Sequence, residues 1–168
     1  MKSLILAAVA AFCVGTASAQ TTAKAKPLTE AQALEQHINK LMRDPAKPKQ
    51  EIRLDLQGCH ATQTIRDNDS DTQTSAPISV SYNKGGEAGW AAKVANGKFE
   101  LILDFEWREV ESLTYERNKD KDDAPYEVKI KRVRKSGSTS FELPLFTTDE
   151  RVVRDVVARL ERVRQSCR

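Results

Sequence analysis

Cysteine and histidine are the side chains of this sequence best suited to covalent or acid–base chemistry, but their neighbours do not place them at a catalytic site. His37 lies beside the apolar positions of a helical segment, and His60 alternates away from the face that carries Cys59 and Ala61. A general base must reach a nucleophile or substrate by hydrogen bonding, and neither histidine is placed for that. We interpret both as surface or partly packed side chains. The sequence also lacks Gly-x-Ser-x-Gly, His-Glu-x-x-His and phosphate-loop motifs.

Asp104 and Glu106 are a second candidate for catalysis, because two carboxylates on one face of a strand can perform hydrolysis. Alternation places them opposite Phe105 and Trp107, so the carboxylates are expected to face water while the aromatic rings face the core. The sequence therefore predicts a protein that is not an enzyme. A carboxylate-dependent hydrolase is the alternative.

The loop Asp67-Asn68-Asp69-Ser70-Asp71 has carboxylates at the first, third and fifth positions of a calcium-binding loop. Thr72 stands where the sharp turn of such a loop needs glycine, and Ile78 replaces the bidentate glutamate of its twelfth position. We interpret this segment as a solvated acidic loop. No metal site and no cofactor is predicted anywhere in the chain.

The first 19 residues are typical of a cleavable export signal. Met1-Lys2-Ser3 precedes an apolar run from Leu4 to Gly15, and Ala17-Ser18-Ala19 supplies the small residues that a signal peptidase accepts. The run is shorter than the ~20 residues that a spanning helix needs, so the mature protein is not expected to span a membrane. We predict cleavage after Ala19, a mobile linker over residues 20–27, and a periplasmic or secreted location.

Cleavage would remove Cys13 and leave Cys59 and Cys167 in an oxidising compartment, where pairs of thiols tend to close. We therefore predict a Cys59–Cys167 disulfide, with both sulfurs pointing inward. A reactive or metal-binding thiol is the alternative, and it would require a reduced cysteine beside a base.

Residues 28–168 are predicted to form a single α+β domain that begins with a helix over residues 29–43. Thr29 and Gln32 form a capping-box pattern at its start. From Glu51 the apolar period changes to two, and its phase slips at Gly58, which predicts a bulge or sharp bend there.

Turn signals divide the middle of the chain into antiparallel hairpins. Asn96-Gly97 predicts a two-residue turn. Two further hairpins are predicted: Val110–Arg117 pairs with Tyr126–Arg134, and Tyr126–Arg134 then pairs with Thr139–Phe146. A final helix is predicted from Thr147, with Glu150 completing a capping box. Its apolar stripe contains Val153, Val156, Leu160, Val163 and Cys167.

This order of elements resembles the pleckstrin-homology-like (PH-like) architecture. The resemblance is carried by the run Phe105–Leu113 leading into a hairpin, by the strand Phe141–Leu145, and by the capped helix that follows. It implies a bent antiparallel β-barrel or sandwich of about seven strands, with an N-terminal helix and a C-terminal helix that caps one end. The resemblance is one of layout, so the phosphoinositide binding of some PH-like domains is not carried over to this chain.

The basic residues Lys129, Lys131, Arg132, Arg134 and Lys135 lie together at one end of a predicted hairpin. They either discourage edge pairing or dock an acidic protein, lipopolysaccharide or a phospholipid headgroup. No aromatic residue interleaves them, and no nucleic-acid partner is predicted. We expect an exported, non-enzymatic binding or protein-interaction domain, such as an envelope accessory or immunity-type protein whose partner is another envelope protein or an incoming one. A carrier of a small apolar ligand is a further alternative, and it would need a cavity within the barrel.

Overall fold

The computed structural model describes residues 28–82, 89–118, 126–134 and 137–168. The predicted signal at 1–19, the predicted linker at 20–27 and Lys135 lie outside the described residues. The described chain contains two helices, eight strands and one 3₁₀ turn. In chain order they are α1 (Glu30–Leu41), β1 (Gln50–Gln57), β2 (His60–Asp67), β3 (Ile78–Tyr82), β4 (Trp90–Ala95), β5 (Lys98–Glu106), the 3₁₀ turn (Trp107–Glu109), β6 (Val110–Arg117), β7 (Tyr126–Arg134), β8 (Gly137–Leu145) and α2 (Glu150–Ser166).

The strands form two antiparallel sheets. The larger has the order β1-β2-β5-β4-β3, and the smaller has the order β6-β7-β8. The α+β class is confirmed, but the described strands form two separate sheets and do not close into a barrel. The 3₁₀ turn at Trp107–Glu109 carries the chain from β5 of the larger sheet to β6 of the smaller one.

The phase slip at Gly58 is a hairpin turn, so of the two predicted alternatives the sharp bend is confirmed and the bulge was wrong. Gln57 pairs with His60, and Gly58 takes a positive φ of 62° in the two-residue turn between them. Because the chain reverses there, Leu56 lies opposite Ala61 and the inward-facing parity changes from even to odd. The Asn96-Gly97 hairpin is confirmed, with Gly97 also at positive φ.

The two helices differ in how well their starts were predicted. The capping box of α1 is confirmed, since Thr29 accepts a hydrogen bond from the Gln32 amide and the Gln32 side chain accepts one from the Thr29 amide. The capping box predicted for α2 was wrong. Asp149 is the N-cap, and its carboxylate accepts a hydrogen bond from the Arg151 backbone amide. The hydroxyl of Thr147 accepts from the Asp149 backbone amide, before the helix begins. An aspartate two residues later offered a better acceptor at the helix terminus.

The core lies between the two sheets and is closed by both helices. Two polar side chains cross it: Gln63 donates to the Glu142 carbonyl at 3.0 Å, and Arg132 donates to the Asp104 carbonyl at 2.9 Å. The fully buried apolar side chains come from α1, both sheets and α2. They include Leu34, Ile38, Met42, Leu54, Phe105, Trp107, Val128, Ile130, Leu143, Leu145, Val153, Val156 and Leu160.

Helix α1 also covers the outer edge of the larger sheet. The side-chain amide of Asn39 donates from its Nδ2 to the Leu54 carbonyl at 2.9 Å, and its Oδ1 accepts from the Leu54 backbone amide at 2.7 Å. Asn39 thus makes the two hydrogen bonds that a neighbouring strand would make with Leu54. The Glu35 carboxylate accepts from the Leu56 amide at 3.1 Å. The middle of the β1 edge is thereby closed to further strands.

Replacing Asn39 with alanine is expected to cost about 2 kcal/mol of folding stability, because it leaves the Leu54 amide and carbonyl unpaired at a partly buried position. Urea denaturation followed by circular dichroism measures the change. Gln36→Ala is the matched control, since Gln36 is an exposed residue of the same helix. A loss for Asn39→Ala no larger than that of Gln36→Ala would contradict the proposed role.

Candidate binding site

One face of the larger sheet extends beyond the core. Leu103 lies opposite Trp90, which lies opposite Tyr82, so side chains at these positions share a face with Phe105 in the core. We call the extension the open face. It consists of Ile78, Val80 and Tyr82 of β3, Trp90, Ala92 and Val94 of β4, and Phe99, Leu101 and Leu103 of β5.

Four of the nine residues of the open face are exposed and the other five are half-buried, although all nine are apolar or aromatic. Ile78, Val80, Tyr82 and Trp90 are 51%, 49%, 48% and 41% exposed, whereas Phe105 is fully buried. In the described part of the chain, α1 packs mainly on β1 and α2 mainly on β6, and neither helix nor the smaller sheet packs closely on β3 or β4. Contiguous apolar surface of this kind marks a site that binds another molecule.

Strand β3 also has a free edge that pairs with no other strand among the described residues. It is the last strand of its sheet, and its sequence Ile-Ser-Val-Ser-Tyr carries no charged residue and no proline. Natural edge strands are usually protected by lysine, proline or a covering element, as α1 protects β1 here. The exposed face and the unpaired edge therefore meet on the same strand.

Arg132 lies where the open face joins the core. Its Nη1 donates to the backbone carbonyl of Asp104. The backbone amide of Asp104 in turn donates to the carbonyl of Gly89, the residue before Trp90. The guanidinium carbon lies 5.8 Å from the ring centre of Phe105 and 5.4 Å from that of Phe141. Cation–π contact of this kind stabilises the charge in part.

The charge of Arg132 has no carboxylate partner among the described residues. The side chain is only 8% exposed, and its Nε is buried without a hydrogen-bond acceptor. Burial lowers the pKa of Arg132, and the nearby positive charge of Arg134 adds to the effect while Glu109 opposes it. A buried guanidinium without an ionic partner is costly, and the Asp104 carbonyl and the two rings offset part of that cost.

The other residues of the predicted basic group are placed differently. Lys129 forms ion pairs with Glu116 and Glu142, Lys131 with Glu111, and Arg134 with Glu109 at 2.8 Å. The ion pair with Glu116 raises the pKa of Lys129. Docking of a partner by these residues stays a prediction. A signal for the separate position of Arg132 was present in the sequence, because it shares the parity of Tyr126, Val128 and Ile130.

His60, Asp104 and Glu106 come together on the outer face of the larger sheet, which the sequence did not predict. His60 Nδ1 lies 3.0 Å from Glu106 Oε1, and its Nε2 lies 3.7 Å from Asp104 Oδ1. The hydroxyl of Thr62 donates to Asp104 at 2.7 Å and therefore does not present its proton to His60. The group contains no nucleophile activated by the histidine.

The two pockets that the structure describes contain none of these three residues. One, of about 310 Å³, is lined mainly by residues of the opposite face of the larger sheet, among them Arg66, Ser79, Lys93 and Glu100. The other, of about 400 Å³, borders the acidic loop, where Asp69 forms an ion pair with Lys49 at 3.0 Å. Within the described ranges no group of three or more histidine, cysteine, aspartate or glutamate side chains is arranged to hold a metal.

The Cys59–Cys167 disulfide is confirmed, with the two Cα atoms 5.5 Å apart. The prediction that both sulfurs point into the core was wrong for Cys59, which is exposed in the β1–β2 turn, while Cys167 is half-buried at the end of α2. The turn is held separately, since the Trp107 amide donates to the Cys59 carbonyl at 2.9 Å. The bond thus joins the last residue of the helical stripe to a fixed turn at the rim of the molecule.

None of the helices in the described residues is long and apolar enough to cross a bilayer. Comparison of the chain with protein-family models, with curated proteins and with solved structures found no match in any of the three.

Proposed function

We propose that this protein is an exported, non-enzymatic binding domain whose binding surface is the open face. The observation that carries the proposal is the exposure of Ile78, Val80, Tyr82 and Trp90 on a face continuous with the core. Apolar side chains of this size gain free energy when another molecule removes them from water, at about 25 cal/mol per Å² of apolar surface. An envelope accessory or immunity-type role is consistent with such a surface.

Catalysis by Asp104 and Glu106 is the weaker proposal. Both carboxylates lie beside His60 on an open strand face, and neither of the two described pockets includes them. Enzymes bind their substrates in concave sites with converging polar groups. The open face has the apolar area that binding requires, whereas the side chains of His60, Asp104 and Glu106 are 39%, 37% and 28% exposed on a strand face.

The proposal is tested by photo-crosslinking with p-benzoyl-phenylalanine placed at Val80 on the open face. In intact cells, we expect a discrete adduct from Val80. The matched control places the same group at Ser81, the next residue of β3, which is also exposed but belongs to the opposite face. Equal adduct yields from Val80 and Ser81, or none from either, would refute the open face as the binding surface.

Export is inferred from the first 19 residues and is supported by the Cys59–Cys167 disulfide, since such bonds persist mainly in oxidising compartments. We expect the protein isolated from the periplasm to begin at Gln20. Intact-mass measurement checks this, with Ala17→Leu and Ala19→Leu together as the variant in which processing should be blocked. Retention of residues 1–19 by the unaltered protein would refute the cleavage site.

We also propose the PH-like architecture as the relationship of this fold. Two antiparallel sheets around one core, followed by a C-terminal helix that packs on β6 and β7, support it. Superposition of this fold on solved PH-like domains, with the strand orders compared, would test the relationship.

A further inference from the structure

We propose that the free edge of β3 takes an extended segment of another protein as a further strand of the larger sheet, and that an acidic side chain of that segment pairs with Lys93. The inference goes beyond the proposed function, because it concerns the edge of β3, whereas the proposed function concerns the open face. It is argued from the backbone of β3 and from a row of charges that crosses the sheet.

The backbone of β3 supplies the first argument. All five residues of the strand are exposed, and β4 is its one partner among the described strands. Alternate amide and carbonyl groups of such a strand face away from its neighbour and can pair with a further strand. Hydrogen bonds of this kind bind extended segments to sheet edges, and the side chains of the segment then determine which sequence is bound.

A row of charged side chains supplies the second argument. It lies on the outer face of the larger sheet, opposite the open face, and alternates in sign across four strands in direct register, from Glu51 through Arg66 and Glu100 to Lys93. Arg66 Nε lies 2.8 Å from one oxygen of Glu100, and Lys93 Nζ lies 3.4 Å from the other. The next residue in register is Ser79 of β3. The alternation therefore ends on a lysine, one strand before the edge.

Glu100 compensates the charge of Lys93 only in part, because the same carboxylate also serves Arg66. The hydrogen bond from Arg66 is the largest cause that lowers the pKa of Glu100, and the bond from Lys93 is a smaller one. The Lys93 side chain is 62% exposed, compared with 24% for Glu100. A carboxylate placed beyond Ser79 would give Lys93 a second acidic neighbour and would continue the alternation.

The spacing of the strands allows this contact. Neighbouring strands lie about 4.8 Å apart, so a residue of an added strand opposite Ser79 lies about 10 Å from Lys93 across the sheet. The side chains of a lysine and a glutamate can meet over that distance, and the short side chain of Ser79 does not block them. The pocket of about 310 Å³ borders Ser79, Lys93 and Glu100, so there is open space above the row.

A second copy of the chain fits this edge less well. Two β3 strands could pair about Val80, but β3 contains no acidic residue, so the pairing would bring no carboxylate to Lys93. A contact between two five-residue strands also falls short of the about 800 Å² per partner that a stable interface buries. A separate protein can supply the acidic strand together with further surface.

The experiment titrates the isotopically labelled, oxidised protein with three nine-residue peptides and follows its amide signals by NMR. The peptides alternate threonine with valine, are capped at both ends, and carry glutamate, glutamine or lysine at the central threonine position. We expect the signals of β3 and Lys93 to shift. The glutamate peptide should bind about fivefold or more tightly than the lysine peptide, as for an attractive cross-strand pair compared with a repulsive one.

Variants of Lys93 test the charge. Lys93→Glu should favour the lysine peptide, and Lys93→Gln should bring the affinities of the glutamate and lysine peptides closer together. Lys131→Glu is the matched control, because Lys131 is also an exposed strand lysine in an ion pair, with Glu111 of the smaller sheet. It should leave the preference for glutamate unchanged. The three-peptide comparison on the unaltered protein remains decisive if a variant fails to fold.

A fourth peptide tests the backbone pairing. The glutamate peptide with N-methylated backbone amides keeps its side chains and loses its hydrogen-bond donors, so we expect it not to bind. Binding of the methylated peptide as tightly as the unmethylated one would show docking by side chains alone and would refute pairing at the edge.

Glutamate and lysine peptides of equal affinity would overturn the role of Lys93, as would a preference that is lost in Lys131→Glu and kept in Lys93→Glu. If no peptide binds while the crosslinker forms an adduct at Val80 and none at Ser81, the edge inference fails and the proposed function stands. If the glutamate peptide binds at β3 while Val80 and Ser81 give equal adducts, the edge inference stands and the open face fails. A dimer whose β3 amides are protected from exchange without peptide would identify a second copy as the occupant and refute the inference.

Discussion

Removal of the Cys59–Cys167 disulfide is expected to lower the free energy of unfolding by about 3 to 5 kcal/mol, because the bond closes a loop between residues 108 positions apart. The loss lies mainly in the unfolded chain, which regains the freedom of a long loop. For a chain of this size it corresponds to a fall in melting temperature of about 10 °C or more. Thermal unfolding with and without reductant measures it.

The fold is expected to survive reduction, and the end of α2 should loosen first. Val153, Val156 and Leu160 stay buried, and Arg164 still donates to the Glu111 carbonyl at 3.0 Å. Amide exchange in the last turn of α2 should therefore rise well before exchange in the β1–β2 turn. The Cys59→Ser, Cys167→Ser double variant is the control and should be insensitive to reductant. Two titratable thiols in freshly isolated protein would contradict the bond.

Trp107→Ala is expected to cost about 3 to 5 kcal/mol, the range for removing a large aromatic side chain from a core. Trp107 is fully buried in the 3₁₀ turn between the two sheets and contacts Phe105 edge to face, with ring centres 5.2 Å apart. Its removal leaves a cavity at the corner where the chain changes sheets. Chemical denaturation followed by far-ultraviolet circular dichroism measures the loss without relying on tryptophan emission.

Trp107→Phe separates the two contributions of this residue. The indole Nε1 is buried without a hydrogen-bond partner among the described residues, so phenylalanine removes an unpaired donor while keeping most of the apolar volume. We expect it to cost much less than alanine. Arg108→Ala, in the exposed middle of the same turn, should change stability by less than about 0.5 kcal/mol. A Trp107→Ala loss of that small size would show that the corner repacks.

Local signals predicted the parts of this fold that depend on neighbouring residues. The Asn96-Gly97 turn, the Thr29 capping box and the apolar stripe of α2 were each determined within a few positions of the chain. Gly58 was placed at the correct discontinuity, but a bulge stayed open as the alternative to a sharp bend, because a hairpin and a bulge both change the parity of an alternating pattern.

The surroundings of each functional candidate depended on pairing between distant segments. His60 meets Asp104 and Glu106 only because β2 pairs with β5, and no local pattern specifies that partner. The alternating spacing of Ile78, Val80 and Tyr82 in the sequence agrees with their place on one face of β3. It did not show that this face lacks a covering layer in the described structure, since a buried and an exposed apolar face have the same period.

The covering of β1 by Asn39 and Glu35 limits the symmetry of any assembly that extends the larger sheet. Head-to-tail stacking would need β3 of one copy to join β1 of the next, and the helix side chains already occupy that edge. Two β3 edges can still meet about a two-fold axis, and such a pairing uses both edges and stops. Edge-to-edge pairing between copies of the larger sheet is therefore expected to stop at two copies.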